Sequence, residues 1–61
     1  MLTYKFGTRK ETVDGKVFDL KFKKKCDSDA QAELHARNFA MHNKIDGVII
    51  QRGDVEWFVQ P

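Results

Sequence analysis

The side chains with the most reactive chemistry are few: one cysteine, Cys26, and two histidines, His35 and His42. A catalytic thiol needs a nearby base, and both histidines lie well after Cys26 on a predicted helix. His35 and His42 are about 10 Å apart along that helix, which is too far to share one metal ion. A structural zinc site needs four Cys or His ligands, and these residues supply at most three. We therefore predict no catalytic residues, no metal site and no cofactor.

The size of the chain also argues against an enzyme. It has 61 residues, 41% of them apolar and 33% charged, which is typical of one small soluble domain over residues 1–61. Such a chain buries only about 60% of the surface that it exposes when unfolded, which leaves little depth for a desolvated cleft. No Ser-His-Asp set and no Gly-rich phosphate loop is present. We predict a protein that is not an enzyme.

The cellular location is predicted from cysteine use and hydropathy. A single thiol cannot form an intramolecular disulfide, which favours a reducing compartment. No apolar run is long enough for a transmembrane helix or the core of a signal peptide. Because the chain begins with Met and ends with Pro61, we expect a complete small cytoplasmic protein without a membrane partner.

The first part of the chain predicts a β-hairpin. Apolar and polar residues alternate over 2–6 and again over 17–25, and Asp14-Gly15 between them is a strong turn signal. A two-residue loop at Asp14-Gly15 would turn Phe6 away from Phe22, whereas a three-residue loop over 13–15 pairs them. We predict the three-residue loop. Its further pairs are Tyr4 with Lys24, Leu2 with Cys26 and Thr12 with Lys16.

Basic residues gather on one side of this hairpin, so nucleic acid is a candidate partner. In the predicted register, the solvent side carries Lys5, Lys21, Lys23 and Lys25, with Arg9 further out. Clustered lysines neutralise phosphates with little sequence preference. Lysines also protect edge strands from unwanted pairing, so a solvated edge is the alternative. The formal net charge is only +2.

A helix is predicted from Asp29 to Asn43, with Ser28 as its N-cap and Gln31 completing a capping box. One stripe of this helix is expected to face the sheet: Ala32, Ala36, Phe39 and Ala40. Leu34 and Met41 form a second stripe, which either joins a wide core-facing arc or binds a partner. Between the stripes, Glu33 and Arg37 are spaced for an ion pair.

The last two strands are predicted over 48–52 and 55–59, joined by the two-residue turn Gly53-Asp54. Trp57 lies on the face that we predict packs against the helix. Ile49 and Phe58 are cross-strand neighbours on the opposite face. Exposed apolar clusters often mark partner or dimer surfaces, so we predict a protein-binding patch there.

Hairpin, helix and hairpin predict an α+β fold (ββαββ), with a four-stranded sheet and one helix across one face. In this length, the layout resembles the β-grasp immunoglobulin-binding domains of streptococcal protein G and of protein L. Thr3-Tyr4-Lys5 and Asn43-Lys44-Ile45-Asp46-Gly47 carry the resemblance, with Ala32, Phe39 and Ala40 facing the sheet. The resemblance implies strand order 2-1-4-3, with the terminal strands central and parallel. Among the antibody-contacting positions, only Glu33 and Arg37 are similar, so antibody binding is not expected.

The surplus of apolar surface predicts a small binding protein that acts through protein–protein contacts. It would be an accessory or inhibitor-like product, as small phage and mobile-element genes often encode. The candidate contact residues are Ile49, Phe58, Leu34, Met41 and Arg37. The alternatives are a nucleic-acid-binding module that uses the basic hairpin, and a homodimer joined through the open face of the sheet.

Overall fold

A computed structural model describes all residues, 1–61, as one sheet with one helix across it. The elements are β1 Leu2–Thr12, β2 Gly15–Cys26, α1 Asp29–Asn43, β3 Val48–Arg52 and β4 Val55–Val59. The predicted α+β, hairpin–helix–hairpin layout is confirmed. The bounds of α1, β3 and β4 are those predicted, whereas β1 continues well beyond Phe6.

Both ends of α1 are capped. Ser28 Oγ accepts a hydrogen bond from the Gln31 N–H at 3.2 Å, and Gln31 Oε1 accepts one from the Asp27 N–H at 2.7 Å. At the other end, Lys44 adopts a left-handed conformation with φ of 54°. This reversal lets the Ile45 N–H donate to the Ala40 carbonyl at 3.1 Å, which satisfies a carbonyl of the last turn.

The strand order is β2-β1-β3-β4, and all neighbouring strands are antiparallel. The predicted order 2-1-4-3, with parallel terminal strands, is therefore wrong. The physical reason is the composition of β3, in which Val48, Ile49 and Ile50 are all buried although they alternate between the two faces. A strand that is apolar on both faces belongs inside a sheet. β4 is mostly exposed and carries Glu56, and it forms the edge.

A β-bulge interrupts the pairing of β1 with β2. Phe6 pairs with Phe22, but the next residue, Gly7, pairs with Leu20, so Lys21 is the extra residue. The predicted pairing of Phe6 with Phe22 is confirmed, as are the pairs Tyr4–Lys24 and Leu2–Cys26.

The predicted three-residue loop is wrong, because Thr12 pairs with Gly15 and the loop is Val13-Asp14. Gly15 does adopt a positive φ, of 123°. The shorter loop and the bulge offset each other, and the pairing beyond Lys21 therefore returns to the predicted register.

The bulge also changes which side chains lie beneath the helix. Side chains alternate along a strand, so one additional residue turns those beyond it to the opposite face. Leu20 pairs with Gly7 and Phe18 pairs with Arg9, on the face without the helix. The predicted packing of Phe18 and Leu20 against α1 is therefore wrong.

The core lies between α1 and the inner face of the sheet. One cross-strand row runs through all strands, from Phe22 and Phe6 to Ile50 and Trp57. The rings of Phe6 and Phe22 stack with centroids 4.4 Å apart, and Phe39 lies 5.0 Å from Phe22. The predicted core-facing stripe is confirmed, since three alanines of α1 are fully buried: Ala32, Ala36 and Ala40.

Truncating a side chain on the inner face of the sheet should cost more stability than truncating one on the face without the helix. Ile50→Ala should lower the free energy of unfolding by about 2–5 kcal/mol, because Ile50 is fully buried. Leu20→Ala should cost less than about 1 kcal/mol, because Leu20 is 43% exposed on the face without the helix. Urea denaturation of both variants measures the difference, and equal losses would contradict the bulged register.

Candidate binding surface on the open sheet face

The face of the sheet that lacks the helix carries an apolar row across all strands. We call this side the open face. The pairings Leu20–Gly7, Gly7–Ile49 and Ile49–Phe58 place these residues side by side. Leu20 is 43% and Phe58 55% exposed at the two ends of the row. The apolar row is thus a continuous strip with its outer side chains in solvent.

Two aromatic rings lie directly against glycines on this face. A Cβ built at Gly7 would approach the Phe18 ring to 2.7 Å, and one at Gly47 would overlap the Phe58 ring more closely still. Each ring therefore occupies the space that a larger side chain would need. The carbonyl of Asp19 also crowds Gly7 at the bulge. The chain depends on glycine at both positions.

Ile49, predicted to lie in an exposed patch, is only 4% exposed. A shallow groove of about 290 Å³ lies beside it, lined by Arg9, Gly47, Glu56 and Phe58 among others. Arg9 Nη2 pairs with Glu56 Oε1 at 3.2 Å. Glu56 Oε2 also accepts a hydrogen bond from Gln51 Nε2 at 2.9 Å. The lining of the groove thus combines apolar side chains with one basic and one acidic side chain.

Predicted basic residues lie beside the apolar row. Lys5 pairs with Lys23 in the adjoining cross-strand row, and Thr3 pairs with Lys25. None of these three lysines forms an ion pair. Like charges directly opposite each other destabilise a sheet unless a partner neutralises them. The structure thus brings the predicted lysines and the predicted apolar residues onto the same face.

Lys21 does not belong to this regular lysine row. It is the bulge residue, and its Nζ forms an ion pair with Asp19 Oδ2 at 2.8 Å. That contact lowers the pKa of Asp19. The prediction that Lys21 shares one regular strand face with Lys23 and Lys25 is wrong, because the β-bulge makes Lys21 an extra residue in the strand.

The helix candidates lie apart from the open face. Leu34 is 54% and Met41 59% exposed, so the second stripe of α1 is not part of the core. Arg37 pairs with Glu33 at 3.6 Å, as predicted. The protein-binding candidates are therefore divided between two surfaces, α1 and the open face.

A polar network fixes the start of α1 to the sheet. Tyr4 Oη donates to Asp29 Oδ1 at 2.7 Å, and Arg52 forms an ion pair with the same carboxylate. Arg52 also lies 5.6 Å from the Trp57 ring centroid, and Trp57 Nε1 donates to Glu33 Oε2 at 3.0 Å. These contacts join β1, α1, β3 and β4. We call Tyr4, Asp29 and Arg52 the helix-entry network.

The electrostatics of this network follow from its geometry. The Arg52 and Tyr4 hydrogen bonds lower the pKa of Asp29. The hydrogen bond to Asp29, together with burial, raises the pKa of Tyr4. Each shift favours the state in which Asp29 is ionised and Tyr4 is protonated.

The remaining reactive groups form no site. Cys26 is buried as a free thiol, and burial raises its pKa. No group of three or more His, Cys, Asp or Glu side chains is arranged to hold a metal ion. The structure contains no helix with the length and apolar character needed to cross a membrane.

Sequence reasoning missed two members of the open face, Phe18 and Leu20. Gly7 was the available signal, because a glycine inside a strand often marks a bulge or a close backbone approach.

No protein-family model matches the sequence, and neither a curated protein nor a solved structure matches it.

The helix-entry network predicts a pH dependence of stability. The folded-state pKa of Asp29 lies below its ordinary value of 3.8, so its contribution is present above that pH and disappears as the pH falls through the lowered pKa. Asp29→Asn should therefore reduce stability at pH 7 and flatten part of the decline at acid pH. Asp19 and Glu56 also have lowered pKa values, so their part of the decline in stability at acid pH should remain in the variant.

Urea denaturation between pH 7 and pH 2 measures this effect, with Asp54→Asn in the exposed β3–β4 turn as the control. An Asp29→Asn variant as stable as the native chain at pH 7 would contradict a stabilising network.

Proposed function

We propose that this chain is a small non-enzymatic binding protein that acts in the cytoplasm through contacts between its open face and another protein. An accessory or inhibitor-like role, of the kind that phage and mobile-element genes encode, is consistent with its size. The supporting observation is the apolar row Leu20–Gly7–Ile49–Phe58, whose ends are exposed on a face that no element of the chain covers.

The chemistry of this face defines the partner. Phe58 is a half-exposed aromatic side chain beside the groove, and buried aromatic side chains are frequent anchors of protein interfaces. Lys5 and Lys23 adjoin the row without acidic partners. A complementary partner would place an apolar side chain in the groove and acidic side chains over the lysines.

Phe58→Ser should weaken recovery of a protein partner from the native host at high salt, because the variant has no apolar anchor. Leu34→Ser is a matched control, since Leu34 is exposed to the same degree but lies on α1. Circular dichroism should show that both variants fold. Quantitative pull-down at two salt concentrations, followed by mass spectrometry, provides the measurement.

Loss of the partner in Leu34→Ser but not in Phe58→Ser would transfer the function to the helix. If neither variant changes what is recovered, the open-face proposal is wrong.

A second candidate function, nucleic-acid binding, is favoured by one specific observation. The unpaired lysines share their face with the rings of Phe18 and Phe58, which lie against glycines. Lysines attract phosphates, and an exposed ring provides a surface on which a base can stack. The bulge places Phe18 on this face and so supplies the second aromatic side chain.

Fluorescence anisotropy with labelled single-stranded oligo(dT) tests this candidate. The double variant Lys5→Gln/Lys23→Gln should bind more weakly, and the salt slope should shrink by about 0.7 for each phosphate that the variant no longer neutralises. Lys10→Gln/Lys24→Gln is the matched control, because the strand register places both side chains on the opposite face. A native chain that does not bind oligo(dT) at low salt would eliminate the candidate.

A further inference from the structure

The two edges of the sheet differ in their protection against pairing. β2 carries the bulge and a series of lysines, at 16, 21, 23, 24 and 25, which are features that keep an edge strand from pairing. β4 has one charged side chain, Glu56. Its carboxylate accepts hydrogen bonds from Arg9 on β1 and from Gln51 on β3. The outer side of β4 thus has no bulge and no lysine.

The hairpin register determines which backbone groups of β4 are free. Gly53, with φ of 59°, begins a two-residue turn, and the pair that closes such a turn is hydrogen-bonded. Hydrogen-bonded pairs then alternate along the ladder, so Val55, Trp57 and Val59 bond to β3. The Val59 carbonyl faces Gly47, next to β3, in agreement with this alternation. Glu56 and Phe58 therefore direct their N–H and C=O groups outward.

We infer that β4 pairs antiparallel with β4 of a second copy of this chain, about a two-fold axis at Trp57. This register places Glu56 opposite Phe58 of the second copy, and all the outward N–H and C=O groups of these residues are paired. Glu56 is therefore not opposite Glu56 of the second copy, and the two carboxylates are not brought together. The contact is self-complementary, as a closed two-fold interface requires.

Charge favours this edge over the open face and over β2 for self-association. Face-to-face contact of two open faces would bring Lys5, Lys23 and Lys25 of both copies together, at a cost in repulsion. Pairing through β4 leaves both β2 strands at the far ends of an eight-stranded sheet. In this register the apolar row of each copy ends at Phe58, opposite Glu56 of the second copy. This inference goes beyond the open-face proposal, because it concerns the backbone edge of the sheet.

Sedimentation equilibrium of the native chain and two variants at Glu56 tests the pairing. Glu56→Pro removes an outward N–H without removing a bond to β3, since proline is tolerated on the open side of edge strands. Glu56→Ala is the control, because it removes the same side-chain contacts but keeps the N–H. The native chain and Glu56→Ala should dimerise with rising concentration, and Glu56→Pro should dimerise at least about tenfold more weakly.

Amide hydrogen exchange of the native chain, followed by NMR, makes the test independent of how the variants fold. The Glu56 and Phe58 amides should exchange fast in dilute solution and become protected at high concentration. The Trp57 amide should be protected in both. A chain that stays monomeric at millimolar concentration overturns the inference. A dimer that leaves Glu56 and Phe58 unprotected, or that forms equally in Glu56→Pro, also overturns it.

Discussion

One extra residue in β2, Lys21, decides the composition of both faces of the sheet. Because strand side chains alternate, the bulge leaves Phe22 beneath α1 and turns Leu20 and Phe18 to the other side. Gly7 makes this arrangement possible, since any larger side chain there would meet the Asp19 carbonyl and the Phe18 ring. The inner face thereby keeps its aromatic core, and the open face gains the apolar row on which the functional proposal depends.

The helix-entry network is the second feature that shapes the sheet, and it lies on the inner face. Asp29 lies in the first turn of α1, where the helix dipole favours a negative charge, and its carboxylate is held by Arg52 and Tyr4. Tyr4 and Arg52 belong to the two central strands, β1 and β3. Their contacts with Asp29 therefore attach the start of α1 to the inner face of the sheet. No comparable element lies on the other side, and the open face remains available for contacts.

Much of this architecture could be predicted from the residues alone. The helix bounds follow from Ser28 and its alanine stripe, and the second hairpin from the Gly53-Asp54 turn. The predicted strand order is wrong, because it rests on the resemblance to protein G and protein L, which have parallel terminal strands. The apolar run Val48-Ile49-Ile50 was the opposing signal, typical of a central strand. The exposed apolar patch was predicted in part, because alternation alone does not reveal where a bulge lies.

The position of the Phe18 ring against Gly7 tests this account most directly. Proton NMR should detect nuclear Overhauser contacts between the Phe18 ring and the Gly7 α-protons, together with an upfield ring-current shift of those protons. The Phe58 ring should give the same signature at Gly47. Contacts from the Phe18 ring to the methyl groups of Ala36 or Ala40, without any to Gly7, would place Phe18 beneath the helix and contradict the account.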